Sequence, residues 1–421
     1  MKTRKTKRTV EKRGIVLPLV ITIAVCLAII GIGLLQVGLG TRVMAVRTTS
    51  EISARAAADA GITRALYEMN RRFSPDVAWD NSWIPYGGAG DLSNSASGNA
   101  TFTYDINGVF GNHHIVSRGT AGAVSQIRKT LHADVRVVTK FDYAIIVQDR
   151  IDLYPGSVVG GYNSADPTDP FTYVKIGTNS ILPDMIWLRP DCFVDGDVLV
   201  GFNGDVETVI EARPGATTGP RYPLPQPVPL LKTPVPYNLP PGQPITYDAN
   251  GFAIITQSGV YSNIEVPQGS VLQVGDGINQ VVDVVLYVQG DLWLRQGAEL
   301  RVTGTPGIPT TWSALTIYLD GELDGGNSNG INNMTLKPGQ FKLVGTGPEG
   351  VDWLIRNGGD FYGVYDAPNA NIEIKESGDI YGAVVGKSFE QKAKCNIFYD
   401  EDLSQPYSGP VGFAISRWWE E

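Results

Sequence analysis

The sequence is poor in the residues from which most metal and acid–base sites are built. Of 421 residues, three are cysteine and three are histidine. Cys26, Cys192 and Cys395 stand far apart, which argues against a disulfide-rich secreted module and against a zinc site with its paired spacing. His113 and His114 are adjacent. His132 falls in a strand pattern, where an isolated histidine is usually structural or at the surface. No serine sits in a G-x-S-x-G elbow, and no cysteine has a histidine near it in sequence. Neither a cofactor nor a metal is expected.

Basic charge is scarce outside one segment. The formal net charge is −9. Lys2, Arg4, Lys5, Lys7, Arg8, Lys12 and Arg13 stand against Glu11 alone, so residues 1–14 carry +6 and the rest of the chain −15. An acidic body does not attract phosphate backbones, so no nucleic-acid partner is expected. The basic leader is followed by 26 uncharged residues, Ile15 to Gly40. About 20 apolar residues cross a bilayer as a helix. The positive-inside rule then places residues 1–14, with Lys12 and Arg13 at the boundary, in the cytoplasm and the remainder outside. Arg42 to Phe73 lacks proline and is rich in helix formers. Ile52, Ala56, Ile62, Leu66, Met69 and Phe73 recur at helical steps. A single helix from Ile15 to Phe73 would be about 90 Å long, with glycines at 31, 33, 38, 40 and 61 as places to bend, and Pro75 ending it.

A short basic leader, Arg13-Gly14, an apolar segment from Ile15 and then ARAAADAGITRAL (Ala54–Leu66) resemble the N-terminus of type IV pilin-like proteins. More narrowly, they resemble pilus-assembly proteins with a PilX-type N-terminus and the K-type pseudopilins of type II secretion. The resemblance implies cutting by a prepilin peptidase between Gly14 and Ile15. It also implies packing of the apolar helix among other pilin-like subunits in contact with inner-membrane assembly machinery. Two positions depart from the pattern of major pilins, which begin with Phe and carry Glu fifth. Here those places hold Ile15 and Leu19, so the chain lacks the carboxylate that offsets a neighbour's new amine in an apolar filament core. K-type pseudopilins also lack it and sit at filament tips. The resemblance therefore implies a minor or tip subunit.

The body of the chain reads as β structure. Its 49 Gly and 27 Pro favour turns and short strands. Ser74 to Ala100 reads as loop. Thr101–Ile106, His114–Ser117 and Arg128–Val138 read as an antiparallel meander that would cover the helix. From about Lys140, short strands alternate with Gly, Asn or Asp turns, with no helical segment of useful length between them. They include 144–147, 151–154, 157–162, 184–188, 193–201, 281–294, 298–302, 315–323 and 341–345. LYVQGDL (286–292) and IYLDGEL (317–323) echo at a step of 31, and FYGV (361–364) and IYGA (380–383) at a step of 19. Such echoes favour a β-solenoid over a β-sandwich. Residues 360–400 resemble the C-terminal part of envelope proteins that carry PilX-type N-termini, where a right-handed β-helix is expected, and more distantly bactofilin-type scaffolds. Eleven prolines between Arg213 and Ile245 exclude a central strand and leave either a linker between two β units or a loop laid over one.

The expected architecture is thus α+β, mainly β. It comprises a leader (1–14), a transmembrane helix (15–40), its amphipathic continuation (41–73), a small pilin-like β region (74–139), a first solenoid part (140–212), the Pro-rich piece (213–245), a second solenoid part (246–402) and a tail (403–421). Carboxylates cluster at Asp195/Asp197, at Asp320/Glu322/Asp324 and at Asp400/Glu401/Asp402. β-Helices host polysaccharide-degrading enzymes that use such pairs, and 320–330 has the composition of a calcium loop without its spacing. Beside glycine turns, these residues read first as turn formers. Cys192 and Cys395 read as free buried thiols, and Trp418 and Trp419 as a cap on the solenoid end. The expected function is that of a non-enzymatic structural subunit anchored in the inner membrane. The alternatives are a membrane-anchored glycan-cleaving enzyme and a glycan-binding adhesin.

Overall fold

A computed structural model describes residues 16–72, 84, 86–92, 100–109, 112–122, 126–165, 173–276, 280–325, 330–356, 358–375, 378–404 and 410–421. The chain is mainly β. It has one long N-terminal helix, a small antiparallel sheet and a large parallel stack, divided between two compact units.

The first unit holds the helix Val16–Arg72, 57 residues long. It runs unbroken through the glycines, of which Gly31, Gly33, Gly38 and Gly40 have open space where a side chain would be. From Leu19 to Thr48 every residue is exposed. From Ser50 onward one stripe is buried: Ala54, Ala57, Ala58, Ile62, Ala65 and Met69. This differs from the stripe expected above, because Ile52 is 65% exposed and Ala56 is exposed as well. Close approach of backbone to backbone selects the face, and that favours small residues over bulky ones. A Cβ on Gly119 of the facing sheet would lie 1.9 Å from the Ala54 carbonyl oxygen, and one on Gly61 would lie 2.1 Å from Ser117 Oγ. Phe73 and Pro75 lie outside the described residues.

The sheet runs Gly87–Leu92, Ala100–Val109, Asn112–Ala121, Ile127–Thr139 and Pro410–Glu420, in that order. The first four strands pair antiparallel. The three expected strands are present and longer. Gly87–Leu92 falls where a loop was expected. Its glycines make room for aromatic rings on the next strand, since a Cβ on Gly88 or Gly90 would strike Tyr104 or Phe102 at about 2.5 Å. Pro410–Glu420 falls in the segment read as a tail and is the fifth strand of this sheet. Trp419 therefore packs on the small sheet, against His132. The expected role of Trp418 and Trp419 as a solenoid cap is not what these residues do.

The second unit is a stack of parallel coils with three faces. One face runs through Gly259–Tyr261, Asp283–Val288, Ala314–Leu319, Phe341–Gly345, Phe361–Ile374, Ile380–Gln391, Ile145–Val147, Val174–Thr178, Gly196–Val200 and Arg221–Pro223. Along it, Leu286, Ile317, Leu343, Tyr365, Val384, Ile145, Ile176 and Val198 stand in register, and all are buried. On a second face Leu292, Leu323, Trp353, Ile372, Phe389, Ile151 and Ile186 do the same. Like stacks on like, so each coil is desolvated by its neighbours. The sequence echoes are this register: Leu286 pairs with Ile317, Leu292 with Leu323, Phe361 with Ile380 and Val364 with Ala383. Every strand pairing in the stack is parallel, which excludes the sandwich.

The order of the coils is not the order of the chain. Residues 252–400 climb the stack first, and the earlier residues 145–223 continue it beyond Ile380–Gln391. Ile397–Asp400 lies between Ile380–Gln391 and Val158–Tyr162, and Tyr399 donates its hydroxyl to the Phe141 carbonyl at 2.6 Å. The chain thus enters and leaves the stack at the same level, part-way along it.

The Pro-rich piece is a strap that returns from one end of the stack to the other. Val228 forms two backbone hydrogen bonds with the Asn179 amide, at 2.9 and 2.8 Å. Thr233 donates to Asp366 at 2.7 Å, and Pro241 bridges to Val260 on the first coil. From the level of Asn179 to that of Asp366 is three strand spacings, about 14 Å. Five extended residues cover about 15 Å. Leu224, Val228 and Leu230 are buried, as are Ile146, Leu199 and Val385, whose register places them on the outer side of the face the strap crosses. Beneath it Lys140 and Asp366 form an ion pair at 2.6 Å, each side chain about 4% exposed. Burial also pushes the nearby Lys342 amine down, and Asp366 partly offsets this.

Candidate functional site

The largest unexplained surface is the helix from Leu19 to Thr48. The helix is long and apolar enough to cross a membrane, and its first carboxylate is Glu51. Thr41 and Thr49 donate their hydroxyls to the carbonyls of Val37 and Ala45, both at 2.9 Å. Those hydroxyls are therefore satisfied without water. Leu19, at the place of the missing pilin glutamate, is 58% exposed. Lys12, Arg13, Gly14 and Ile15 lie outside the described residues.

The carboxylate clusters do not converge on open clefts. Asp320 accepts hydrogen bonds from Tyr287 and Thr346, both at 2.6 Å. The Asp320 bond is the main reason that the Tyr287 phenol is pushed up to about 12. The neighbouring Asp291 accepts the Glu322 backbone N–H at 2.8 Å, as a corner residue tying one coil to the next. Asp324 pairs in register with Leu354, on the outer row of its face. Among the described residues no cluster of His, Cys, Asp and Glu is arranged to hold a metal ion. Asp197 is held by the phenols of Tyr173, at 2.5 Å, and Tyr222, while Asp195 points outward. Asp400 is buried and accepts the Ser164 backbone N–H at 2.9 Å. Desolvation raises its pKa. Glu401 and Asp402 are exposed.

Cys192 and Cys395 are free and buried. Burial pushes both thiols up, Cys395 to about 12, so neither is a ready nucleophile. Tyr362, Tyr381 and Phe398 form a ladder with centroids 4.4 and 5.0 Å apart. Both faces of the central Tyr381 ring are used by its neighbours in the ladder.

The histidines hold a constellation that sequence spacing did not reveal. Asp134 Oδ1 lies 2.8 Å from His114 Nδ1, His114 Nε2 lies 3.0 Å from His132 Nδ1, and His132 Nε2 lies 3.2 Å from Glu421 Oε2. The strand register places His114 opposite Asp134 and His132 opposite Val116. Only the fifth strand, about 290 residues away in sequence, brings in Glu421 and the Trp419 ring that stacks on His132 at 5.3 Å. His113 faces the other way, into a depression lined by Ile84, Tyr86 and Ile106. Burial lowers its pKa.

The fold is therefore that of a chain with an uncovered apolar stem, a small sheet closing the rest of that stem's helix, and a parallel coil stack. Residues 250–406 match a family described as a domain of unknown function, DUF7305. The match spans the coils from Phe252–Ile255 to Ile397–Asp400. No curated protein matches the chain. Among solved structures, the competence-associated pilin ComZ from Thermus thermophilus aligns at 12% identity over 88% of this chain and 97% of that one, with a TM-score of 0.29. A score that low bears on neither fold nor function.

Proposed function

We propose that this chain is a non-enzymatic minor or tip subunit of a pilin-like filament, of the type IV pilus or type II secretion kind. It displays the coil stack on the outer side of the inner membrane. One observation carries this reading. A single helix is apolar and uncovered over its first half, and over its second half it is packed tightly on a small antiparallel sheet. Uncovered apolar surface of that extent is stable only in lipid or against other apolar helices. The partners would be the lipid bilayer, other pilin-like subunits, the inner-membrane assembly machinery and a prepilin peptidase. The leader 1–14 would be cytoplasmic, and cleavage would fall between Gly14 and Ile15.

Leu19 supports a place at the tip. A subunit without a carboxylate there cannot accept a charge from the amine of a neighbour above it, whereas its own amine is free to pair with a subunit below. Two measurements test the reading. Mass spectrometry of the chain from a peptidase-competent host is expected to find Ile15 as the first residue. A chain lacking residues 15–40 is expected to leave the membrane fraction and stop co-purifying with pilin-like proteins. Co-purification that persists without the stem would sink the assembly role.

A further inference from the structure

The contacts in the chain Asp134–His114–His132–Glu421 can be counted in hydrogens. There are three contacts, and each needs one hydrogen between its heavy atoms. The two carboxylates only accept, so His114 Nδ1 and His132 Nε2 must both donate. Two neutral imidazoles own one N–H each, and those outer contacts use both. The central contact, His114 Nε2 to His132 Nδ1 at 3.0 Å, would then set lone pair against lone pair. A third hydrogen completes it. A fourth would set N–H against N–H across the same gap.

We infer that His114 and His132 hold one extra proton between them, and that this shared proton fastens the strand Pro410–Glu420 to the small sheet. Imidazole is a stronger base than carboxylate, so the proton rests on the rings and not on Asp134 or Glu421. The surroundings support one positive charge. Asp134 and Glu421 flank the pair, and the Trp419 ring lies against both imidazoles, 5.3 Å from His132 and 5.4 Å from His114. Of the other charges on the packed elements, Glu420 is engaged by Lys129 at 2.6 Å and by Arg55 of the helix at 3.4 Å. Arg417 lies over the Trp419 ring at 5.0 Å, and Arg136 is exposed two residues beyond Asp134. On the same face of the sheet Arg118 pairs with Asp105 at 2.8 Å. A second proton is opposed by the first, because it would place two positive rings side by side with nitrogens 3.0 Å apart.

The consequence is a fastening that works within a band of pH. Raising the pH removes the shared hydrogen, and lowering it adds the fourth. Each loosens the centre of the relay and, with it, the grip of Glu421 and Trp419. The test is hydrogen exchange of residues 410–421 in the full chain in detergent, corrected for intrinsic rate, across pH 4–9. Protection is expected to peak in the middle and to fall about tenfold on either side, the size of one hydrogen bond. His132→Gln should flatten the peak. Glu421→Gln, which keeps an acceptor but removes a charge, should keep the peak and move its alkaline limb to lower pH. Nitrogen-15 NMR of the wild-type histidine rings gives an independent reading that needs no variant: the pair should take up two protons in two separated steps. A single step for both rings, or protection of 410–421 with the same pH profile in wild type and His132→Gln, would overturn the inference.

Discussion

The small sheet unit and the coil stack differ at their closest contacts. Where the helix crosses the sheet, Ala54, Ala58 and Gly61 meet Gly119 and Ser117, so that backbones come almost into contact, and Phe102, Ile106, Ile115 and Leu131 fill the interior around that crossing. The stack uses the chain's largest side chains, with Trp353, Tyr365, Phe341, Phe361 and Phe389 fully buried. A helix laid on a sheet gains most when nothing holds the two apart. A coil stack has a fixed spacing of about 4.8 Å between strands, so its interior is filled by bulk. The two regions should therefore respond differently to gain and loss of volume.

The largest effect is expected from adding volume where backbones meet. Gly119→Leu should cost at least about 4 kcal/mol, because the clash is with the Ala54 and Ala58 backbone and not with a side chain that can swing away. Loss of the first unit's folding cooperativity in chemical denaturation would register it. In the stack the damaging change is removal. Trp353→Ala should cost about 3–4 kcal/mol by leaving a cavity between coils, and an unchanged denaturation midpoint would break the comparison. Lys140→Ala should cost about 3 kcal/mol by stranding Asp366 under the strap. The paired change Lys140→Met with Asp366→Leu should recover most of that loss. The smallest effect is expected at Ile52, which sequence periodicity placed on the buried stripe and the fold leaves exposed. Ile52→Ala should change stability by less than about 0.5 kcal/mol.

What was legible in the sequence was whatever depends on near neighbours in the chain. The helix, its apolar half and the short strands follow from local pattern, and the echoes at steps of 31 and 19 proved to be the coil register. What was not legible depends on distance or on contact. Gly87–Leu92 carries no strand-forming side chains, because it must pass over Tyr104 and Phe102. The run FAISRWW, rich in aromatic and branched residues, had the composition of a strand, but nothing local told which sheet it would join. The helix stripe was right at Ile62 and Met69 and wrong at Ile52 and Ala56, where hydrophobicity and spacing said nothing of the close approach that Gly61 and Gly119 allow. The histidine relay needed all of these placements at once. The strap kept its two readings until the coil order was known, since a linker and a returning loop have the same composition.

That coil order has a mechanical consequence. Both chain ends of the stack lie at its waist: residues 140–144 lead in and residues 401–404 lead out at one level, with Tyr399 bonded to the Phe141 carbonyl between them. Tension on the two threads then loads this single rung in shear and leaves both outer rims slack, so no terminal coil is peeled open. Pulling through these attachments should give one rupture at high force, where a stack held by its two ends would unzip rung by rung at low force.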